Sequence, residues 1–197
     1  TDETVITNYE ELHYYASQLQ NYLVQVLQLE SVACKDWLTN KVDRCVGGKV
    51  AKQQCAGALQ LPLNNVGVMA LDYNGKEGIA TSIGHSPLTA LISPTAGSRN
   101  AIAEALTNIV WAPLRDGLQS VSLSANWMWA CRNKGEDARL YEAVEAASNF
   151  AIELGINIPT GKDSLSMKQK YPEGGDVIAP GTVIISAAAH CTDVKKV

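Results

Sequence analysis

The segment from residue 119 to residue 129 alternates apolar and polar side chains, and this pattern restricts the fold more than any other stretch. The apolar series is Val121, Leu123, Ala125, Trp127 and Trp129, and the polar series is Ser120, Ser122, Ser124 and Asn126. Because successive side chains of a strand point to opposite faces, a period of two predicts a strand that is buried on one face only. A sheet with helices on one face is therefore expected.

Hairpin and helix patterns are mixed along the rest of the chain. A buried-type strand over 66–73 ends at Asn74-Gly75, a pair that predicts a hairpin turn and a return strand over 77–83. The other predicted features are a capping box at 7–11, helices over 12–27, 32–38 and 137–154, a Gly-Gly turn at 47–48, an extended segment from 156, a surface loop over 171–180 and a last strand over 182–191. These links favour an α+β fold with a mixed or antiparallel sheet, formed as a single domain over 1–197.

Charge and composition argue against several classes of function. The net charge is −4 and lysine and arginine do not cluster, so neither nucleic acid nor an anionic membrane surface is an expected partner. The chain has no apolar run of about 18 residues and its first residues are acidic, so no membrane span or targeting peptide is expected. Five scattered cysteines without a CxxC pair indicate free thiols and a cytoplasmic location, and they argue against a zinc site.

A carboxylate and an amide lie one helical turn apart in residues 101–111. Glu104 and Asn108 are separated by four residues, so in a helix both side chains project from one face. The opposite side of this helix is apolar and consists of Ile102, Ala103, Leu106, Ile109 and Val110. Oxygen donors of this kind suit Mg²⁺, which usually shares its coordination shell with phosphates. The alternative is an ordinary solvated polar face.

Two adjacent amides, Asn64 and Asn65, precede the strand over 66–73. Amide groups both donate and accept hydrogen bonds, so either residue is able to contact a nucleotide or a metal. Asn pairs also commonly just end a loop, and this alternative stays open.

The segment GINIPTGKDS (155–164) superficially suggests a phosphate loop. It is excluded as a Walker loop because Asp163 stands where Ser or Thr is needed, and because the segment leads from a helix into a strand. Its continuation GKDSLSM remains a candidate anion contact through Lys162, Ser164 and Ser166. A local turn held by Asp163 is the alternative.

Five segments, in this order, carry a resemblance to one enzyme family. They are NKVDRCVGGKVAKQQCAGALQLPLNNVGVMAL, AEALTNI, LSANWMWA, GEDARLYEAV and IPTGKDSLSM. From roughly residue 24 to 192 the chain resembles the large, glutamine-dependent phosphoribosylformylglycinamidine synthase family of purine biosynthesis, and residues 1–23 form a helical lead-in that matches less clearly. The resemblance implies the N-terminal lobe of the second of two halves that are each similar to aminoimidazole ribonucleotide synthetase. Two such lobes pair their sheets in a barrel.

The resemblance also implies an auxiliary Mg²⁺–nucleotide site for ATP or ADP. Glu104 and Asn108 match two metal ligands of that site. Asn65 stands where better-known members carry a metal-binding Asp, and Asn64 stands beside the nucleotide. Because an amide lacks the charge of a carboxylate, the isolated chain is expected to bind Mg²⁺ and nucleotide weakly or not at all. No catalytic residue is assigned to this chain.

The reaction of the family implies the partners. ATP activates the amide oxygen of formylglycinamide ribonucleotide as a phosphoryl leaving group, and ammonia from a separate glutaminase domain displaces it. The expected partners are the first synthetase-like half, the companion lobe and the glutaminase domain, and the chain alone is expected to be inactive. A homodimer is also expected, because an isolated lobe exposes apolar sheet surface.

Two alternatives stay open. One is a purely structural or dimerising lobe without ligand binding. The other is a different ATP-dependent enzyme of the same superfamily, such as selenophosphate synthetase or thiamine phosphate kinase. The segments GEDARLYEAV and GKDSLSM argue against the second alternative.

Overall fold

A computed structural model of the chain describes residues 13–29, 32, 44 and 47–197. The predicted capping box at 7–11 and all but the first residue of the predicted helix over 32–38 lie outside the described residues. Within the described ranges, no helix is both long enough and apolar enough to cross a membrane.

The described residues contain four α-helices and eight strands. The helices are α1 (Leu19–Gln28), α2 (Pro87–Ile92), α3 (Pro94–Ile109) and α4 (Glu136–Leu154). The strands are β1 (Val50–Lys52), β2 (Val66–Ala70), β3 (Gly78–His85), β4 (Ser122–Met128), β5 (Asn157–Ser164), β6 (Lys168–Lys170), β7 (Asp176–Ile178) and β8 (Thr182–Cys191). Short 3₁₀ turns cover Ala16–Gln18, Gly117–Ser120 and Val194–Lys196.

Six of these strands form one mixed sheet in the order β1-β2-β3-β8-β4-β5. All neighbours are antiparallel except β4 and β5, which run parallel and are connected by α4. The remaining two, β6 and β7, pair with each other in a separate hairpin. The predicted α+β fold with a mixed sheet is confirmed. A single β–α–β unit is included, which the hairpin pattern of the sequence did not indicate.

One face of the sheet is covered by helices, and the alternation over 119–129 identifies it correctly. Val121 and Leu123 are each 1% exposed and Ala125 is 3% exposed, and they pack in the core with Ile102 and Ile109 of α3. The serines between them lie on the opposite side of β4, called the open face below. The strand pattern therefore predicts both β4 and the side on which α3 and α4 lie.

The predicted hairpin over 66–83 is confirmed with shifted ends. β2 and β3 pair from Val66 opposite Ser82 to Ala70 opposite Gly78. The predicted strand is three residues too long at its end, because the Asp72 carboxylate accepts hydrogen bonds from the main-chain N–H groups of Asn74 and Gly75. This local turn competes with strand pairing.

The turns and loops differ in part from the sequence predictions. Residues 94–98 form the first turn of α3, and Ser93 Oγ caps this helix by accepting a hydrogen bond from Ala96 N at 3.2 Å. The loop over 171–180 contains β7, because Gly174 and Gly175 both have positive φ and turn the chain back along β6. Most of GKDSLSM is not a turn, as described below.

Helix α4 packs through small residues. The sequence pattern predicts Leu140, Tyr141, Val144, Ala147, Phe150, Ala151 and Leu154 on its buried side. Tyr141 and Val144 are instead exposed, at 68% and 43%, whereas Ala143 and Ala146 are buried. Ala147 and Ala151 are buried as predicted, and Phe150 and Leu154 pack against the core. Alanine permits the close approach of α4 to α3, so hydrophobicity alone misplaces Tyr141 and Val144 but not the rest of this face.

Candidate functional site

Helix α3 lies unusually close to β3, and a glycine allows it. A Cβ atom at Gly84 would lie 1.9 Å from the Ala101 carbonyl oxygen and 2.5 Å from the Ala105 nitrogen. Neighbouring Ser82 is buried and donates a hydrogen bond from its hydroxyl to Ala105 O at 2.6 Å. These contacts hold the middle of α3 against the end of β3. They thereby position the helix face that carries Glu104 and Asn108.

Glu104 and Asn108 bond to the part of β3 that extends beyond β2. The last β2 residue in register is Val66, opposite Ser82, so β3 continues past its neighbour. There the main-chain N–H of His85 donates to Glu104 Oε2 at 2.7 Å, and Asn108 Nδ2 donates to the Ile83 carbonyl at 3.2 Å. The two side chains thus take the place of strand pairing along this edge.

One oxygen of each side chain is left over. Among the described residues, no hydrogen bond reaches Glu104 Oε1 or Asn108 Oδ1. Glu104 is exposed and Asn108 is half-buried, so both oxygens are accessible to a ligand. The apolar side of the helix is largely as predicted, with Ile102, Leu106 and Ile109 buried. Val110 is the exception: it is 44% exposed because it lies at the helix end.

Asn65 lines the same cavity as Glu104 and Asn108. The cavity has a volume of about 720 Å³ and opens on the open face of the sheet. Its polar lining residues are Asn65, Thr81, Ser82, Glu104, Asn108, Ser122, Ser124, Thr160 and Ser186. Three of the four residues predicted from the sequence are therefore brought together.

Asn64 does not line this cavity and instead holds the backbone. Its Nδ2 donates to the Gln53 carbonyl at 2.7 Å and to the Val66 carbonyl at 2.6 Å. It borders a neighbouring groove of about 330 Å³. The loop-ending role considered for the Asn pair therefore describes Asn64 well, whereas Asn65 is exposed at the start of β2.

The two adjacent cavities differ in charge. Glu104 is the one ionisable residue among those that line the 720 Å³ cavity. The neighbouring groove shares Asn65 and Thr81 with it and adds Arg44 and Lys52. A ligand that spans both would meet a carboxylate at one end and two cations at the other, as suits a metal-bound phosphate group.

The donor set fits a hydrated Mg²⁺ ion only in part. One carboxylate and two amides supply oxygen ligands, and Mg²⁺ usually keeps several waters and takes phosphate oxygens for the rest. The part of the chain that the structure describes holds no group of three or more His, Cys, Asp or Glu side chains able to bind a metal. Phosphate oxygens would have to complete the shell.

The segment GKDSLSM lies mainly in a strand. Residues 161–164 belong to β5, where Lys162 is opposite Asn126 and Asp163 is opposite Trp127 in parallel register. The alternative of a local turn held by Asp163 is therefore wrong, and a turn follows at Leu165 and Ser166. Lys162 does not line the 720 Å³ cavity, whereas Thr160 of the same strand does.

Sequence reasoning missed the basic groove and the hydroxyl row. Ser186 lies opposite both Ile83 of β3 and Ser124 of β4, and Ser124 lies opposite Thr160. The serines of β4 were visible in the alternating pattern. Their alignment with Ser186 and Thr160 depends on strand order, which the sequence pattern does not contain.

The chain is similar to known proteins in both sequence and fold. A family model described as the FGAR-AT PurM_N-like domain matches residues 34–190. A Drosophila melanogaster protein named phosphoribosylformylglycinamidine synthase is 47% identical over 178 residues, which cover 90% of this chain. The human protein of the same name is 48% identical over 173 residues. The chain spans only 13% of the length of either relative.

Solved structures share the fold at low sequence identity. The structure of PurLQS from Thermotoga maritima has a TM-score of 0.59 and 16% identity, and the match covers 81% of this chain and 24% of that chain. T. maritima PurL complexed with AMPPCP has a TM-score of 0.57 and 14% identity, with 96% of this chain and 28% of that chain covered. The expected synthetase-like fold is confirmed by these likenesses.

Proposed function

Because this chain belongs to the FGAR-AT PurM_N-like domain family, we propose that it supplies part of a Mg²⁺–nucleotide site in a phosphoribosylformylglycinamidine synthase. The nucleotide would be ATP or ADP, held beside Glu104, Asn108 and Asn65. The relatives that carry this name are far longer than the chain, and their matching region is one part of a larger polypeptide.

One observation carries this proposal: Glu104, Asn108 and Asn65 line a single cavity, although they come from α3 and from the start of β2. The leftover oxygens of Glu104 and Asn108 would contact the metal. Arg44 and Lys52 in the adjoining groove would contact phosphate oxygens, since guanidinium and ammonium groups both bind phosphate. T. maritima PurL, whose fold is similar, has been solved in complexes with ATP and ADP.

In the whole enzyme, the site would serve a ligase reaction. Formylglycinamide ribonucleotide, ATP, glutamine and water would give the formylglycinamidine, ADP, phosphate and glutamate. The activated amide, the ammonia source and the remaining metal ligands would come from other domains. The cavity of this chain has one carboxylate and no nucleophile–base pair among its lining residues, which supports an auxiliary role and an inactive isolated chain.

Calorimetric titration with Mg²⁺·ATP tests the proposal. The natural chain is expected to bind weakly, because Asn65 provides no negative charge to the metal. The Asn65→Asp variant is expected to bind about tenfold more tightly or better, since a hydrogen bond or ligand contact to a charged group is worth about 1.5–3 kcal/mol. Glu104→Gln in the Asn65→Asp background should remove that gain. Equal binding by all three proteins would contradict a metal site here.

A purely structural lobe is the second candidate. It is favoured by the hydrogen bonds of Glu104 and Asn108 to β3, which give both residues a role without any ligand. If this candidate is correct, Asn65→Asp gains no Mg²⁺·ATP binding even in the whole enzyme. In the whole enzyme the companion domains also supply their metal ligands. If Asn65→Asp gains no Mg²⁺·ATP binding there, the result decides for the structural lobe.

A further inference from the structure

Gln60 has a backbone conformation that residues of its type rarely adopt. Its φ is 52°, and it is the one non-glycine residue with positive φ in the described part of the chain. An L side chain is strained in this left-handed region, and such a conformation persists where the surrounding contacts enforce it. Glycine would adopt the same φ without this strain. The contacts of the glutamine side chain therefore indicate what the strained residue does.

The strained residue lies in a tight turn that main-chain hydrogen bonds close. Ala56 N donates to Leu61 O at 2.9 Å, and Leu61 N donates to Ala56 O at 3.2 Å. Within the turn, Gln60 Nε2 donates to the Gly57 carbonyl at 2.8 Å. This bond fixes the side-chain amide, whose Oε1 accepts a hydrogen bond from Nη2 of Arg44.

A second glutamine holds the same guanidinium group. Arg44 Nε donates to Gln53 Oε1 at 3.0 Å. The main chain of Gln53 is held in turn, because Asn64 Nδ2 donates to its carbonyl at 2.7 Å. Two amide oxygens thus orient Arg44, while its Nη1 donates to no group among the described residues and is available to a ligand.

Both partners of Arg44 are neutral, so its charge is not compensated. It lines the groove of about 330 Å³ together with Lys52, and no carboxylate is among the lining residues. We call this the basic groove. Neither cation forms an ion pair within the described ranges. A carboxylate would orient the guanidinium as well but would cancel its charge, whereas an amide orients it and preserves its attraction for an anion.

We propose that Gln53 and Gln60 are positioning residues that present Arg44 to a phosphate group in the basic groove. The strain at Gln60 is retained because this amide, with its main chain in the left-handed conformation, reaches both Gly57 and Arg44. The groove adjoins the cavity of Glu104. The identity of the ligand as the phosphate chain of ATP or ADP therefore rests on the proposed function, but the binding of a phosphate group by Arg44 does not.

Calorimetric titration with inorganic pyrophosphate, in the absence of Mg²⁺, tests the arrangement without the metal site. Arg44→Gln is expected to weaken binding about tenfold, because a charge-assisted hydrogen bond is lost. Gln60→Gly should weaken it by roughly threefold to tenfold, since the guanidinium is then no longer pre-organised by two partners. The Tm of Gln60→Gly should be unchanged or higher, because glycine accepts the positive φ. Loss of affinity without loss of Tm is what a purely structural role would not produce.

Gln60→Glu provides a second variant that keeps the length of the side chain. Its carboxylate would still accept the hydrogen bond from Arg44 but would cancel the charge. We expect it to bind pyrophosphate more weakly than Gln60→Gly does, although the guanidinium remains oriented. Leu59→Ala is the matched control, because Leu59 lies in the same turn and is 81% exposed. This control should bind pyrophosphate as the natural chain does.

Three results would overturn the proposal. They are a natural chain that does not bind pyrophosphate, binding that is unchanged in both Gln60 variants, and a Gln60→Gly protein that loses Tm together with affinity. The outcome is separate from that of the Mg²⁺·ATP titration. If Asn65→Asp gains no Mg²⁺·ATP affinity but pyrophosphate binding depends on Gln60, the phosphate contact stands and the metal site fails. If Asn65→Asp gains affinity but pyrophosphate binding does not depend on Gln60, only the positioning role is rejected.

Discussion

At the scale of single residues, Glu104 has two separable tasks. One carboxylate oxygen accepts the N–H of His85, and the other is available to a cation. A substitution that keeps an acceptor oxygen but removes the charge distinguishes the two. The same logic applies to Asn108, whose amide nitrogen bonds to the Ile83 carbonyl while its oxygen has no partner among the described residues.

We expect Glu104→Ala to lower the free energy of unfolding by about 1 kcal/mol, because the N–H of His85 loses its acceptor. Glu104→Gln should cost less, since its amide oxygen can accept the same hydrogen bond. Chemical denaturation without nucleotide measures both. If the two variants are equally destabilised, the carboxylate does not act through the hydrogen bond to β3.

Asp72 predicts a dependence of stability on pH. The main-chain N–H groups of Gly75 and Asn74 donate to its carboxylate and lower its pKa from the ordinary value of 3.8. The folded state therefore favours the charged form. The resulting stabilisation is present above pH 3.8 and is lost as the pH falls through the lowered folded-state pKa.

The variant Asp72→Asn isolates this effect, because its amide keeps an acceptor oxygen and cannot titrate. The Tm of the natural chain is expected to exceed that of Asp72→Asn at neutral pH, and the gap should close in acid below the folded-state pKa. Thermal unfolding followed by circular dichroism at a series of pH values measures it. A gap that does not change with pH would rule out the charge of Asp72 as its cause.

At the scale of elements, the sequence predicts strands better than it predicts helix faces. The period of two in β4 is read directly from side-chain type, and the half-buried Ser122 and Ser124 on either side of the buried Leu123 confirm it. For α4 the same reasoning is right only in part, because Ala147 and Ala151 are buried as predicted but Tyr141 is exposed and Arg139 is buried. The packing distance between α3 and α4, which a one-dimensional pattern does not contain, decides which side chains fit.

In the candidate site, too, some features follow from the sequence pattern and others depend on how the elements are arranged in three dimensions. Glu104 and Asn108 follow from helical spacing alone, because four residues always make one turn. Asn65 was selected by resemblance, and the hydroxyls of Ser186 and Thr160 depend on strand order. The bond from Asn108 to Ile83 depends on where β2 begins, because Val66 lies opposite Ser82 and leaves Ile83 without a partner in β2.

The close contact of α3 with β3 predicts a strong effect of Gly84→Ala. The new Cβ would meet backbone atoms of Ala101 and Ala105, which are not able to rotate away. Overpacking of this kind costs about 1–3 kcal/mol or more, and it should also move Glu104 away from His85. Denaturant unfolding measures the loss.

Gly67→Ala is the matched control for this prediction. Its Cβ would lie 3.2 Å from Thr81 Oγ1, a side-chain atom that can move. We expect this variant to lose much less stability than Gly84→Ala. If Gly84→Ala and Gly67→Ala lose similar stability, the replacement of a strand glycine as such, rather than the contact with α3, determines the loss.

At the scale of the whole molecule, the open face of the sheet carries exposed apolar side chains beside its polar cavity. Met69, Ile79 and Ile83 are 48%, 45% and 60% exposed on adjacent strands of this face. Apolar patches of this kind usually mark a surface that another protein or domain covers. In the long relatives other parts of the polypeptide are available to cover it, whereas the isolated chain has only a second copy of itself.

We therefore expect the isolated chain to form a homodimer through the open face. Ile79→Asp introduces a charge at the centre of this face and should give a monomer in light scattering at micromolar concentration. Leu88→Asp, which is as drastic but lies on α2 at 73% exposure, should leave the dimer intact. A stable interface buries about 1,200–2,000 Å². An aspartate at the centre of such an interface would be an unpaired buried charge, and its desolvation cost is sufficient to prevent assembly. A natural chain that is monomeric at this concentration would show that the open face does not pair with itself, and that its partner is a different surface.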